Sequence, residues 1–66
     1  MKNSLKVERA INNLTQDQLS RLVGVSRQTV NAIEANRYVP STVLSLKIAK
    51  ALSKQVEQVF ILEETD

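Results

Sequence analysis

Apolar residues fall along the chain in short blocks at helical spacing, with polar residues and turn formers between them. Leu5, Val7, Ala10, Ile11 and Leu14 form the first block, interleaved with Lys6, Glu8 and Arg9. They predict a helix over residues 5–12, and Asn12 and Asn13 favour the turn after it. Leu19, Leu22 and Val23 give a second helix one apolar side. Thr15 stands ahead of it with Gln18 three residues on, the spacing of a capping box. Gly24 then closes that helix, because a residue without a Cβ enters positive φ at little cost. Val25 is expected to pack inward at the corner, and Ser26 to cap a further helix with Val30 and Ile33 on its inner side. That helix runs out at Ala35 or Asn36. Residues 15–36 thus read as two short helices joined by a tight turn.

Beyond Pro40, either Ser41 or Thr42 caps a helix with a stripe of Leu44, Ile48 and Leu52, flanked by Leu46, Ala49 and Ala51. Residues 53–55 connect it to a short fifth helix marked by Val56, Val59 and Phe60. The most apolar run is Val59, Phe60, Ile61 and Leu62, and Ile61 and Leu62 are expected to extend as a short strand. The expected fold class is all-α, five short helices with short terminal β-strands, in a single domain over residues 1–66.

Composition narrows the function. A chain of 66 residues buries a modest share of its surface and is marginal alone. It has no cysteine for a disulfide and no histidine, so a Cys/His zinc site is excluded. Oligomerisation is the remaining route to stability. The lack of histidine also removes any Ser–His dyad. Three of the seven acids lie in the last four residues, and the single glycine cannot build a phosphate-cradling loop. No enzyme activity, metal or cofactor is expected. Tyr38 and Phe60, the only aromatics, are too few for a base-stacking platform, which argues against reading single-stranded RNA. No apolar run approaches the roughly 20 residues of a membrane span, and the first ten residues lack a signal-peptide core. The expected location is cytoplasmic, which absence of cysteine suits.

Net charge is +2, unevenly spread: residues 1–56 carry +6 and residues 57–66 carry −4. A basic body with an acidic tail suits a surface that faces phosphates. The helix after Ser26 leaves Arg27, Gln28, Thr29, Asn31 and Ala32 on its outer face, one guanidinium, two amides and a hydroxyl with no carboxylate. Arginine reads guanine bidentately, and Asn or Gln reads adenine in the same way. The same face also suits an ordinary solvated helix.

Thr15, Gln16, Leu19, Val23, Gly24, Val25, Ser26, Val30, Ile33 and Glu34 together resemble the helix-turn-helix of the Cro/C1-type repressors, the XRE family. The likeness continues through Arg37, Tyr38, Pro40, Ser41, Leu46, Ile48, Ala49, Ala51 and Leu52, and covers about residues 5–60. Its length is similar to the minimal stand-alone regulators of that family, such as the cytolysin-operon repressor type. Asn36 stands where many members have glycine, a mild departure because asparagine also tolerates the left-handed region.

The resemblance implies a five-helix lambda-repressor-like domain that binds double-stranded DNA as a homodimer. Repression is the expected direction, on an inverted-repeat operator, in a prokaryotic nucleoid or a phage system. It implies base contacts from Ser26, Arg27, Gln28, Thr29, Asn31 and Ala32, and backbone contacts from Gln16, Asn36, Arg37 and Tyr38. Tyr38 has the alternative of packing its ring on the core. An ion pair between Arg9 and Glu34 is implied as well. Dimerisation is implied through about residues 55–63, with Val56, Val59, Phe60, Ile61 and Leu62 at the interface; the alternative is that these residues close the monomer's own core. A different functional class stays open on this fold: a protein-interaction module, an antitoxin- or coactivator-like adaptor whose polar face meets protein. A protein antagonist is a further partner to expect, since no ligand domain is visible.

Overall fold

Three side-chain caps set where the three longest helices begin. The Thr15 hydroxyl accepts from the Gln18 amide at 3.0 Å while Gln18 Oε1 accepts from the Thr15 amide at 2.8 Å, closing the expected capping box. Ser26 accepts from Thr29 and Ser41 from Leu44, each at 3.2 Å. At the start of the last helix Gln58 Oε1 accepts from the Gln55 amide at 2.8 Å, while the Gln58 amide donates to the Gln55 backbone carbonyl at 2.9 Å. The computed structural model, which describes residues 1–66, accordingly contains β1 (Lys2–Asn3), α1 (Leu5–Ile11), α2 (Gln16–Val23), α3 (Arg27–Glu34), α4 (Thr42–Ala51), α5 (Val56–Val59) and β2 (Phe60–Ile61). The ends follow the same logic. Gly24 takes φ 77°, and Asn13, Asn36 and Ser53 take φ 56°, 59° and 57° where α1, α3 and α4 stop.

The core consists of Leu5, Leu19, Val23, Val30, Ile33, Leu44, Ile48, Ala49, Leu52, Val59 and Phe60, with Leu14, Val25, Ala51 and Val56 packed against it. The α4 stripe of Leu44, Ile48 and Leu52 is buried as its spacing predicts, but Leu46, a flanking position, is exposed. The first helix departs further from expectation. Val7 and Ile11 are 61% and 65% exposed, and Ala10 is exposed too. The face that α1 turns inward is Leu5, Glu8 and Asn12, an i, i+3, i+7 series on the opposite side. Glu8 is buried with Lys54 Nζ at 3.7 Å, and Asn12 Nδ2 donates to the Leu52 carbonyl at 3.4 Å. Polar partners just past the end of α4 set the rotation of this two-turn helix, which apolar periodicity alone misassigns by about half a turn. Leu22 is also exposed, because Ser20 takes the inner position, its hydroxyl donating to the Asp17 carbonyl at 2.6 Å.

The expected terminal strand exists as Phe60–Ile61, one residue earlier than Ile61 and Leu62, and its partner is the start of the same chain. β1 and β2 run antiparallel with Lys2 opposite Ile61 and Asn3 opposite Phe60. The Ser4 amide continues the connection to the Val59 carbonyl at 2.9 Å. Val59 and Phe60 are therefore part of the monomer's own core, which removes both from the interface set expected from the sequence. Ile61 and Leu62 remain at the surface and Val56 is half-buried.

Beyond β2 the acidic tail folds back on the amino terminus. The Met1 ammonium lies 3.2 Å from Glu63 Oε1 and 2.9 Å from Asp66 Oδ1. Hydrogen bonds to Asp66 and Glu63 raise the amine above its ordinary value of 8.0. The Glu63 amide and the ammonium hold Asp66 below its ordinary 3.8. The raised amine contributes fully below pH 8.0, and its share is lost as pH climbs through the raised value. The depressed carboxylate contributes fully above pH 3.8, and its share is lost as pH falls through the lowered value. The urea midpoint is expected to plateau between those limits and decline on both flanks. The groups are solvent-exposed, so 1 M salt should flatten the profile. A midpoint that stays level from pH 7 to 10 at low salt would argue against the clasp in solution.

Candidate nucleic-acid interface

The turn between α2 and α3 presents the outer face of α3 to solvent. Gly24 makes the bend with its amide on the Ser20 carbonyl at 2.9 Å, and the Val25 amide shares that carbonyl at 3.0 Å. Val25 then packs inward, half-buried against the core. Val30 and Ile33 anchor α3 from below, so Arg27, Gln28 and Asn31 project outward and are exposed. Thr29 and Ala32 lie at the flank, half-buried. The Ser26 and Thr29 hydroxyls sit 3.0 Å apart and satisfy each other.

Two shallow clefts flank this face. Gln16, Arg27, Gln28 and Asn31 line the first, with no apolar side chain among them. Val25, Gln28, Thr29, Ala32, Tyr38 and Leu44 line the second, which is mostly apolar. Gln28 stands on the ridge between the two. The structure thus brings Gln16, Arg27, Gln28 and Asn31 together on one side and Thr29, Ala32 and Tyr38 on the other. Arg37 reaches back from the following loop, its Nη2 donating to Asn31 Oδ1 at 3.0 Å. Tyr38 is 46% exposed, with its ring edging the apolar cleft. Asn36 lies apart at the far end of α3, where its side-chain oxygen accepts from Asn3 Nδ2 at 3.1 Å.

Glu34, the only acid on α3, is turned away from that face. Arg9 Nε donates to Glu34 Oε2 at 2.8 Å and Arg9 Nη2 to Oε1 at 3.2 Å, a two-point fork. Gln16 Nε2 donates to the same Oε1 at 3.2 Å, and Arg9 Nη1 to the Leu14 carbonyl at 2.9 Å. The carboxylate's hydrogen bond raises Arg9 further above its ordinary value. This network joins α1, the start of α2 and the end of α3. It also leaves the outer face of α3 without negative charge. Arg21 and Lys54 each sit within ion-pair distance of a carboxylate, whereas Arg27 and Arg37 have none.

Sequence reasoning missed Asn3, whose amide donates to the end of α3, and Val25 and Leu44 as walls of the apolar cleft. Val25 could be read as inward from the turn pattern. Nothing in the local sequence around Asn3 points to a partner about thirty residues away.

The helix-turn-helix family model HTH_3 matches residues 5–59. An uncharacterised HTH-type transcriptional regulator of Methanocaldococcus jannaschii is 50% identical over 66 residues, covering all of both chains. Another, from Bacillus subtilis, is 55% identical over 64 residues, 97% of each chain. Among solved structures, the restriction-modification controller protein C.AhdI from Aeromonas hydrophila superposes with a TM-score of 0.79 at 32% identity, over 85% of each chain. No helix of the protein is long and apolar enough to cross a membrane. A capped helix-turn-helix with a carboxylate-free outer face, in a chain matched almost end to end by such regulators, decides the assignment: the protein belongs to the XRE-type helix-turn-helix family of DNA-binding transcriptional regulators.

Proposed function

We propose that the protein acts as a homodimer on an inverted-repeat operator, with α3 of each protomer in the major groove, and that it represses transcription by occupying that site. The observation that carries this reading is the pair of guanidinium groups, Arg27 and Arg37, left without carboxylates beside a polar helix face. Unpaired cations around amides favour phosphates and base edges over a protein partner. Half-sites one turn apart lie about 34–36 Å from each other. A protomer measuring 32 × 21 × 20 Å is a suitable size for two to sit side by side at that spacing.

The two clefts support a division of roles on this reading. Arg27, Gln28 and Asn31 read base edges on the polar side, with Ser26 at the helix start. Thr29 and Ala32, on the apolar side with Val25, suit a thymine methyl. Gln16, Arg37 and Tyr38 hold phosphates at the two flanks. Asn36 offers a phosphate only its amide hydrogens, because its carbonyl is engaged by Asn3.

Fluorescence anisotropy tests the reading, using the DNA upstream of the protein's own gene against a scrambled duplex at about 0.15 M salt. A preference of about 10³-fold or more is expected. Gln28→Ala should cost about 1–3 kcal/mol and relax preference at one base pair. Arg37→Ala should weaken all duplexes alike and lower the salt slope by about one. Base preferences left intact by Gln28→Ala would remove Gln28 from the reading face.

A further inference from the structure

The end of α3 is held from an unexpected direction. A helix leaves its last carbonyls without intrahelical partners, and these need donors from elsewhere. The Ile33 carbonyl receives the Asn36 amide at 3.0 Å and also Asn3 Nδ2 at 3.0 Å. The same Asn3 amide group donates to Asn36 Oδ1 at 3.1 Å, while Asn3 Oδ1 accepts from the Leu5 amide at 3.1 Å. Its backbone pairs with Phe60 across the two-stranded ribbon. One half-buried side chain therefore joins β1, the start of α1, the end of α3 and the loop carrying Arg37 and Tyr38.

We propose that Asn3 is a positioning residue for DNA reading: it braces α3 against the terminal ribbon, so that the aim of Arg27, Gln28 and Asn31 depends on the junction of the two chain ends. This rests on the DNA-reading role of α3 argued above. Orientation at a base edge is set by the whole helix, and α3 is only eight residues long. Apart from Val30 and Ile33 in the core, its end is tied by Glu34 on Arg9. Asn3 supplies a second restraint about one residue away, on a different side and from a different element. Because Asn3 is backbone-paired to β2, a contact made at Ile61 reaches α3 through one ladder position and one side chain.

Asn3→Asp isolates the restraint. Aspartate keeps the acceptor for the Leu5 amide and the size of the side chain. It replaces the donor with an oxygen that faces the Ile33 carbonyl. Asn36 has room in its chemistry to turn its amide round, but a carbonyl has no proton to offer. Asn3→Ser is the second variant, too short to span the gap. The probes are a duplex selected by the wild-type protein from a random library and a scrambled duplex of equal length, with folding checked by circular dichroism in the same buffer.

The dissociation constant of folded Asn3→Asp for the selected duplex is expected to rise roughly ten-fold more than that for the scrambled duplex, which bears only the cost of the added charge and of the turned Asn36 amide. A purely structural role would lower the melting temperature and leave the ratio of the two affinities alone, which overturns the proposal. So does failure of both variants to fold. Wild-type protein that selects no preferred duplex defeats the DNA-reading role itself. The free protein then judges the brace alone: Asn3→Asp should shift the amide resonances of residues 31–34 and leave those of α2 in place. Unmoved α3 resonances overturn it.

Discussion

Arg9→Ala is expected to cost about 3 kcal/mol of folding stability, the lower end of what breaking a buried ion pair costs. The side chains of Arg9 and Glu34 are 16% and 8% exposed, so water reaches the pair only at its edge. Removing the guanidinium strands a carboxylate whose one remaining side-chain donor is Gln16, and it also frees the Leu14 carbonyl. At about 0.05–0.15 kcal/mol per residue, a chain this short has of the order of 3–10 kcal/mol in total. The loss corresponds to a fall in melting temperature of roughly 12–24 °C for a domain of this size. Thermal unfolding by circular dichroism measures it directly. Arg9→Lys should recover only part, because a single ammonium cannot reproduce a two-point fork and a third bond to a carbonyl. Replacing both partners by apolar residues, Arg9→Met with Glu34→Leu, should restore most of the stability, since a paired buried charge roughly offsets its own desolvation. Arg9→Ala within about 0.5 kcal/mol of wild type would mean that Glu34 finds water in place of its partner.

The segment around α3 is legible in the sequence, and the rotation of α1 is not. Around residues 15–36 every signal is local: a capping box three residues wide, one glycine at φ 77°, a serine cap and an i, i+3 apolar pair. Such signals are satisfied within a turn or two, so the sequence carries them in order. The α4 stripe is legible for the same reason. α1 takes its rotation from partners far along the chain, Glu8 from Lys54 and Asn12 from Leu52. No periodicity within α1 encodes those distances, and the apolar residues Val7 and Ile11 give a false phase. The ribbon is a further step removed. Ile61 and Leu62 show strand-like composition, but the register with Lys2 and Asn3 spans almost the whole chain. In the site, the exposed residues of α3 follow from the helical face, while the division into a polar and an apolar cleft depends on Gln16 and Tyr38 arriving from other elements.

Ile61→Thr combined with Leu62→Glu is expected to make the protein a monomer and to weaken operator binding by about 10²–10⁴-fold. That range is what linking two binding modules adds over one. Both residues belong to the apolar run at the end of the chain, and the monomer leaves them uncovered: Ile61 is 47% exposed and Leu62 78%, while their neighbours Val59 and Phe60 are buried. Threonine keeps the extended conformation of β2 opposite Lys2, and glutamate at position 62 changes no contact of the monomer's core. The substitutions therefore act on association more than on folding. A stable interface takes about 800 Å² from each partner, a large share of a monomer exposing 4503 Å². A charge introduced within such a patch is desolvated without a counter-ion and opposes assembly. Light scattering should report about the 7.4 kDa of one chain for the variant and twice that for the wild type at the same concentration. The salt slope on operator DNA should fall by about half, because one protomer's phosphate contacts are lost. A wild type that stays monomeric at operator-binding concentrations would defeat the homodimer. A double variant that stays dimeric would move the contact to another apolar surface, of which the α1 stripe of Val7 and Ile11 is the first to test, by Val7→Lys with Ile11→Lys.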